Sequence, residues 1–297
     1  MITWVIGEGG LLGRALVRHA GHLYQPGRVP WHDPHQAEQT LYAQARGLET
    51  AAQGGPWRVI WAAGAATTST PRAMALTEVL PLRGLLQGLR SALPQGPGVL
   101  FLTSSAGGVY AGAAGPPFTT LTQPAPLSPY GELKLAQEQA AVDALGHVLP
   151  LVIGRVSNLY GPGQNLDKLQ GLVSHLARAS ITRQPVNVFV PLDTTRDYIL
   201  ADDAASAILR CMDQERAPGP ATEIIATGRG TTIGQLIRTM NEVTKRKVPV
   251  ALGTHPSAAA QAPDLRLTPS TPLPQITPLP AGMKVVHGDL VARLQGP

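Results

Sequence analysis

The sequence predicts an α/β fold built on a doubly wound parallel sheet, and two observations carry that expectation. Short apolar runs rich in β-branched residues alternate with longer helical patterns through the first half of the chain. The first of those runs ends in a glycine turn that opens directly into a helix, which is the context of a dinucleotide-binding unit. With 297 residues, 43% apolar and only 14% charged, the chain can build one large domain or two modest ones around a sizeable core.

Ile2-Thr3-Trp4-Val5-Ile6 reads as a buried strand, and a helical pattern covers 14–20. Between them, Gly7, Gly10 and Gly13 are spaced to let backbone approach a pyrophosphate at a helix N-terminus, with Leu11 and Leu12 in the same turn. The fold expected is therefore of the Rossmann type. A second strand has only a poor candidate at 21–25. The acidic residue that normally grips the adenine ribose about 20 residues past the glycines is absent there. Arg28 lies just beyond and suits a 2′-phosphate, so NAD and NADP both remain open. The nearest acid, Asp33, reads as part of a loop with Pro34, His32 and His35, and the stretch to residue 55 is not legible.

Residues 58–64 form the next strand and end in Ala62-Ala63-Gly64, small enough to leave room for a cofactor. A helix is expected over 72–93 and a strand over 98–105. That strand delivers Ser104 and Ser105 to the carboxyl edge of the sheet, where ligands bind in open α/β folds. Next comes Ser128-Pro129-Tyr130-Gly131-Glu132-Leu133-Lys134. Ser128 can cap a helix and Pro129 suits its first turn, so Tyr130 and Lys134 leave one face, one turn apart. A phenol titrates near ~10, and a cation beside it favours phenolate. Service as a base at neutral pH needs about 3 units, roughly 4 kcal/mol. That is more than one lysine supplies, so a second positive charge such as an oxidised nicotinamide ring is expected. A strand at 148–156 closes this half.

Beyond it the pattern is mixed: helices at 170–180 and 202–213, strands at 186–190 and 223–227, either of which could return to the sheet, and an amphipathic helix at 232–244. Residues 249–280 hold eight prolines and read as irregular packing.

Composition narrows the function classes. Aromatic residues are 4% and the net charge of +5 is spread along the chain, which speaks against nucleic acid and fits an anionic small ligand. The single cysteine, Cys211, allows no internal disulfide and reads as a buried small apolar residue. The eight histidines show no metal spacing, so no metal is expected. No apolar run reaches ~18 residues, so no membrane span is expected. A strand starting at Ile2 sets the expectation of no leader segment and a cytoplasmic location.

Six motifs in order resemble the extended short-chain dehydrogenases/reductases, within the NAD-dependent epimerase/dehydratase group that acts on nucleotide sugars. They are the glycine turn, Ala62-Ala63-Gly64, the stretch from Ser104 to Tyr110, Ser128 to Lys134, Arg155-Val156-Ser157-Asn158-Leu159-Tyr160-Gly161-Pro162-Gly163-Gln164, and Arg196-Asp197-Tyr198-Ile199 with Asp202-Asp203. The resemblance implies a dinucleotide-binding domain over 1–165 and a smaller mixed α/β substrate domain over 166–297. It implies NAD or NADP held by Gly7, Gly10, Leu11, Leu12, Gly13, Arg28, Ala62, Ala63, Gly64, Ser104, Tyr130 and Lys134. Tyr130 is the implied acid and base, Lys134 its electrostatic partner, and Ser105 the hydrogen-bond partner of the reacting hydroxyl. Asn158 and Arg196 are implied to hold the nucleotide sugar, unless Arg196 forms a structural ion pair with Asp197. A homodimer is implied, pairing through the 72–93 helix and the Tyr130 helix, with Leu82, Leu85, Leu86 and Leu89 as an apolar face; core packing within one chain is the alternative reading of the same leucines.

Reaction type follows by elimination within the resembled group. Its dehydratases and decarboxylases carry an acid after the catalytic Ser/Thr, where this chain has Ala106, Gly107 and Gly108. Its epimerase-reductases place a cysteine beside the serine, and Cys211 lies far along the chain. What remains is 4-epimerisation of a nucleotide sugar by transient oxidation at C4, with a keto-sugar reductase or alcohol dehydrogenase as the alternative. A non-catalytic dinucleotide sensor is the alternative outside enzymes, disfavoured by the retained Tyr130 and Lys134. Pro191-Leu192-Asp193 replaces a glycine-rich turn usual in the group and bears on the shape of the sugar pocket.

Overall fold

The computed structural model describes residues 1–168 and 170–295. β1 (Ile2–Ile6) is buried throughout, and α1 (Leu11–His19) begins straight after Gly10, three residues before the helical pattern. β2 (His22–Leu23) is short and pairs parallel with β1. The illegible stretch is a helix, α2 (Pro34–Ala52). Asp33 caps it, accepting from His35 N at 2.9 Å and Gln36 N at 3.1 Å. Asp33 and His35 thus belong to a helix start. Its inward positions are Ala37, Leu41, Ala45, Leu48 and Ala52, and the small alanines make that rhythm faint in the sequence.

β3 (Trp57–Trp61) follows. The helix expected over 72–93 is two helices, α3 (Arg72–Leu76) and α4 (Val79–Ser91). Pro81 has no N–H to offer a carbonyl one turn back, so a new helix must start within a turn of it. Leu82, Leu85, Leu86 and Leu89 are all buried inside the chain. α2 lies along α4 so closely that a Cβ at Gly84 or Gly88 would strike the α2 backbone at Glu38 or Tyr42. The leucine face read as a surface for a second protomer is therefore core.

β4 (Gly98–Ser105) runs into a single turn, α5 (Ala106–Val109). α6 (Pro129–Leu145) is capped as its sequence demands, with Ser128 Oγ accepting from Gly131 N at 3.2 Å. Then come β5 (Pro150–Val156), β6 (Asn158–Tyr160), α7 (Leu172–Thr182), β7 (Val186–Val188), β8 (Thr195–Leu200), α8 (Ala201–Met212) and β9 (Gly219–Ile225). β10 (Gly230–Thr232), α9 (Ile233–Thr244), β11 (Val250–Leu252), a 3₁₀ turn (Pro256–Ala260), β12 (Asp264–Leu265) and α10 (Leu279–Gln295) end the described elements. α9 starts with a capping box between Thr232 and Gln235. The sequence reading contained no counterpart of α10 or β8.

The main sheet is parallel, ordered β2-β1-β3-β4-β5-β9. Of the two strands considered for a return to it, β9 does so beside β5, whereas β7 pairs with β11 in a separate ribbon. The order reverses between β1 and β3, which opens a crevice at the carboxyl ends there. A second sheet, β10-β8-β12 with β6 also on β8, stands beyond that crevice.

Period-two alternation sorts the strand residues between two cores. Trp4, Val59, Trp61, Leu100, Leu102 and Ile153 pack with leucines of α2 and α4. Val5, Ile60, Phe101 and Val152 pack with α1 and α8. A third core joins Val173 and Leu176 of α7, Leu236 and Met240 of α9, and Met283, Val286 and Leu290 of α10.

Candidate active site

The glycine turn is shaped by close backbone approaches. Gly7 has φ +92°, and a Cβ there would stand 2.6 Å from Ala63 N. A Cβ at Gly13 would strike Gly7 O, so α1 packs directly on the turn. Gly10 N donates to Gly7 O at 2.9 Å, and Gly10 caps α1 with no side chain, leaving the N–H groups of its first turn open. Gly9 faces open space.

These backbones form one end of a cleft of about 890 Å³, a size suited to small ligands. Gly10, Leu11, Leu12, Ala62, Ala63 and Gly64 line it. Gly7 and Gly13 lie beneath and hold its shape. Arg28 is exposed and outside the lining.

Ser105, Tyr130 and Lys134 are brought together in the lining. Lys134 is buried; its ammonium donates to Thr103 O at 3.3 Å and Gln137 Oε1 at 3.1 Å, and stands 5.8 Å from the centre of the Tyr130 ring. Ser105 Oγ accepts from Gly108 N at 3.1 Å, so its own proton is free for a ligand. Ser104 goes elsewhere. Like Leu100 and Leu102, it points toward the α6 layer, where its hydroxyl donates to Glu138. Glu138 is paired in turn with Arg155 at 2.7 Å. A cofactor role for Ser104 meets this geometry as a correction: its hydroxyl belongs to a buried ion pair.

Asn158 and Arg196 line the far end of the cleft. Asn158 Nδ2 donates to Asp197 O at 2.9 Å. Arg196 is only 7% exposed and donates to Thr195 O, Ala262 O and Gln261 Oε1 at 2.8, 2.7 and 3.3 Å. Its pair with Asp197 does not form, because adjacent strand residues face opposite ways. Asp197 instead accepts from Thr227 N, Thr227 Oγ1 and Arg229 N. Burial pulls the Arg196 guanidinium below its usual pKa, against the pull of Tyr198 and Asp264. Burial also pushes Tyr198, in the same lining, up to about 12, so it stays protonated. Cys211 is buried and pushed up to about 11, hence unreactive.

Some lining residues were not singled out in the sequence. Arg14 donates to Gly9 O at 2.6 Å and to Gly163 O, tying the glycine turn to the loop after β6. Its place right after Gly13 was the available signal. Lys168, His175 and Arg178 had none. The lining contains no Asp or Glu. Among the described residues, no three His, Cys, Asp or Glu side chains are grouped to hold a metal, and no helix is long and apolar enough to cross a membrane.

The sequence profile of the NAD dependent epimerase/dehydratase family matches residues 3–225. The chain belongs to that family. Among curated members, it is 34% identical over 119 residues to a dTDP-L-rhamnose 4-epimerase of Burkholderia thailandensis, covering 39% of this chain and 32% of the relative. It is 30% identical over 183 residues to a UDP-glucose 4-epimerase of Azospirillum brasilense, covering 55% of this chain and 53% of that protein. The aligned stretches thus span about half of these relatives or less. Among solved structures, MoeE5 in complex with UDP-glucose and NAD superposes with a TM-score of 0.81 over 99% of this chain and 100% of that one, at 22% identity. At that identity the likeness speaks for the fold, which here is the family's parallel sheet.

Proposed function

We propose that the protein is an NAD(P)-dependent nucleotide-sugar 4-epimerase acting by transient oxidation at C4. The observation that carries this reading is a cleft with Tyr130, Lys134 and Ser105 but without a carboxylate in its lining. Dehydration or decarboxylation in this family uses an acid after the serine, where α5 has only Ala106, Gly107 and Gly108. The curated relatives named above are both 4-epimerases, which supports the same choice.

The residues present fit a nicotinamide dinucleotide. The Gly7–Gly13 turn admits backbone contact, and Thr103 Oγ1 and Ser157 Oγ in the lining are buried without a partner. Gly10, Leu11 and Leu12 would take its pyrophosphate, and Lys134 its nicotinamide ribose. Arg28 would have to swing in to meet a 2′-phosphate. When bound, the dinucleotide supplies reversible two-electron oxidation at the sugar carbon. Tyr130 removes the proton from the 4-hydroxyl and later returns it. Ser105 donates to the same oxygen and holds it. Arg196 and Asn158 keep the diphosphate end in place while the keto-sugar presents its other face.

The expected result with UDP- or dTDP-hexoses is many turnovers without added cofactor. Tyr130→Phe should lower kcat by about 10²–10⁴-fold with fold retained by circular dichroism. Product formed only in proportion to added cofactor assigns a reductase or dehydrogenase instead. A dinucleotide sensor would bind NADH and turn over nothing. A homodimer remains part of this reading. With the α4 leucines buried, it would have to use outer positions such as Arg83, Gln87, Gln139 and Asp143, and a monomer mass in light scattering rejects it.

A further inference from the structure

The cleft lining holds Arg14, Lys134, Lys168, Arg178 and Arg196, and none of them forms an ion pair with a carboxylate among the described residues. Such a set is arranged for anions that arrive from outside. Position assigns most of it. Arg14 stands at the glycine turn with the open end of α1 and suits the dinucleotide pyrophosphate. Lys134 stands beside Tyr130. Arg196 and Arg178 belong to β8 and α7, at the substrate end.

Lys168 is left over. Its ammonium crosses the cleft from the loop after β6 and donates to Ala65 O at 3.2 Å. Ala65 follows Gly64, where a Cβ would lie 3.8 Å from the Lys134 ammonium. Through Ala65 and Gly64, Lys168 therefore meets the cleft wall on the same side as the Lys134 ammonium, in a lining it shares with Tyr130. Both of its anchors are held. Lys168 O is hydrogen-bonded to His175 Nε2 of α7 at 2.9 Å. Ala65 N and Ala66 N donate to Glu78 Oε1 at 2.9 and 2.6 Å, which fixes the receiving loop and engages the carboxylate behind it. A single backbone carbonyl uses one of three ammonium protons and none of the charge.

We propose that Lys168 reads a carboxylate on the sugar, so that the preferred substrate is a nucleotide uronic acid, with the acid at C6, and not a neutral hexose. This rests on the nucleotide-sugar reading above. Glu78 stands behind this wall with Oε1 on Ala65 N and Ala66 N, and the cleft lining itself holds no Asp or Glu. An ammonium meeting a substrate carboxylate there therefore makes a charge-assisted hydrogen bond, enough for about tenfold discrimination.

The test compares UDP-glucuronate with UDP-glucose, and the dTDP pair, on the NAD-loaded full chain. Dissociation constants come from calorimetry and kcat/KM from product analysis. The expected result is uronate favoured at least about tenfold in affinity or kcat/KM. Lys168→Met should bring that ratio near one, and Lys168→Arg should keep it. Equal or better use of the neutral hexose overturns the inference and leaves the epimerase reading standing. Failure of every sugar nucleotide to bind overturns both. A ratio unchanged in Lys168→Met, with NADH binding weakened instead, moves Lys168 to the cofactor and also overturns the inference.

Discussion

Two buried arginines, Arg155 and Arg196, are almost equally hidden and meet opposite electrostatic surroundings. Arg155 lies between β5 and α6, bonded through Nη2 and Nε to both oxygens of Glu138 and through Nη1 to Tyr110. Burial works against its charge, and Glu138 and Tyr110 outweigh that, so its pKa rises. Arg196 donates to neutral oxygens of Thr195, Ala262 and Gln261, and burial outweighs the pull of Tyr198 and Asp264, so its pKa falls. A buried cation already matched to a carboxylate serves the fold. A buried cation held by carbonyls at a cleft wall is, in the function proposed above, the partner of an incoming anion, at a cost in stability that the ligand would offset.

The largest effect should come from breaking the first arrangement. Glu138→Ala leaves Arg155 uncompensated and Ser104 without its acceptor. Unfolding free energy should fall by about 3–5 kcal/mol in a denaturant melt. A loss below about 1 kcal/mol would erase the distinction between the two arginines. Arg196→Met should behave the other way. Stability should change by no more than about 1.5 kcal/mol, while affinity for UDP drops roughly 10- to 100-fold by calorimetry. A strongly destabilised variant with unaltered UDP affinity would make Arg196 structural.

The smallest effect concerns His287 on α10. Burial, then the nearby Arg246 charge, hold its pKa below the ordinary value. The folded chain thus binds this proton less readily than the unfolded one. Its contribution to stability is present above the unfolded pKa of about 6.5 and is lost as pH falls through the lower folded value. The melting temperature should therefore drop between pH 7.5 and pH 5, and drop less in His287→Gln. Equal drops in parent and variant would show that His287 is not a source of the loss.

Local chemistry was readable in the chain itself. The glycine turn, the Ser128 cap with Pro129, and the one-turn spacing of Tyr130 and Lys134 each depend on interactions within a few residues. The alternation of strand and helix was readable for the same reason, and it leads to the parallel sheet. Tertiary structure decided which side each alternating residue faces. Pleating says that Ser104 and Ser105 diverge, and likewise Arg196 and Asp197. Only the packing of α6 and of the loop after β9 says which member meets the cleft. The burial of the α4 leucines depended on α2, whose alanine-rich inner face leaves a weak periodic signal. The return of β9 to the sheet, and the reach of Lys168 across the cleft to Ala65, join residues far apart in the chain. No local propensity encodes such contacts, because their energy comes from surfaces that meet only when the whole chain has folded.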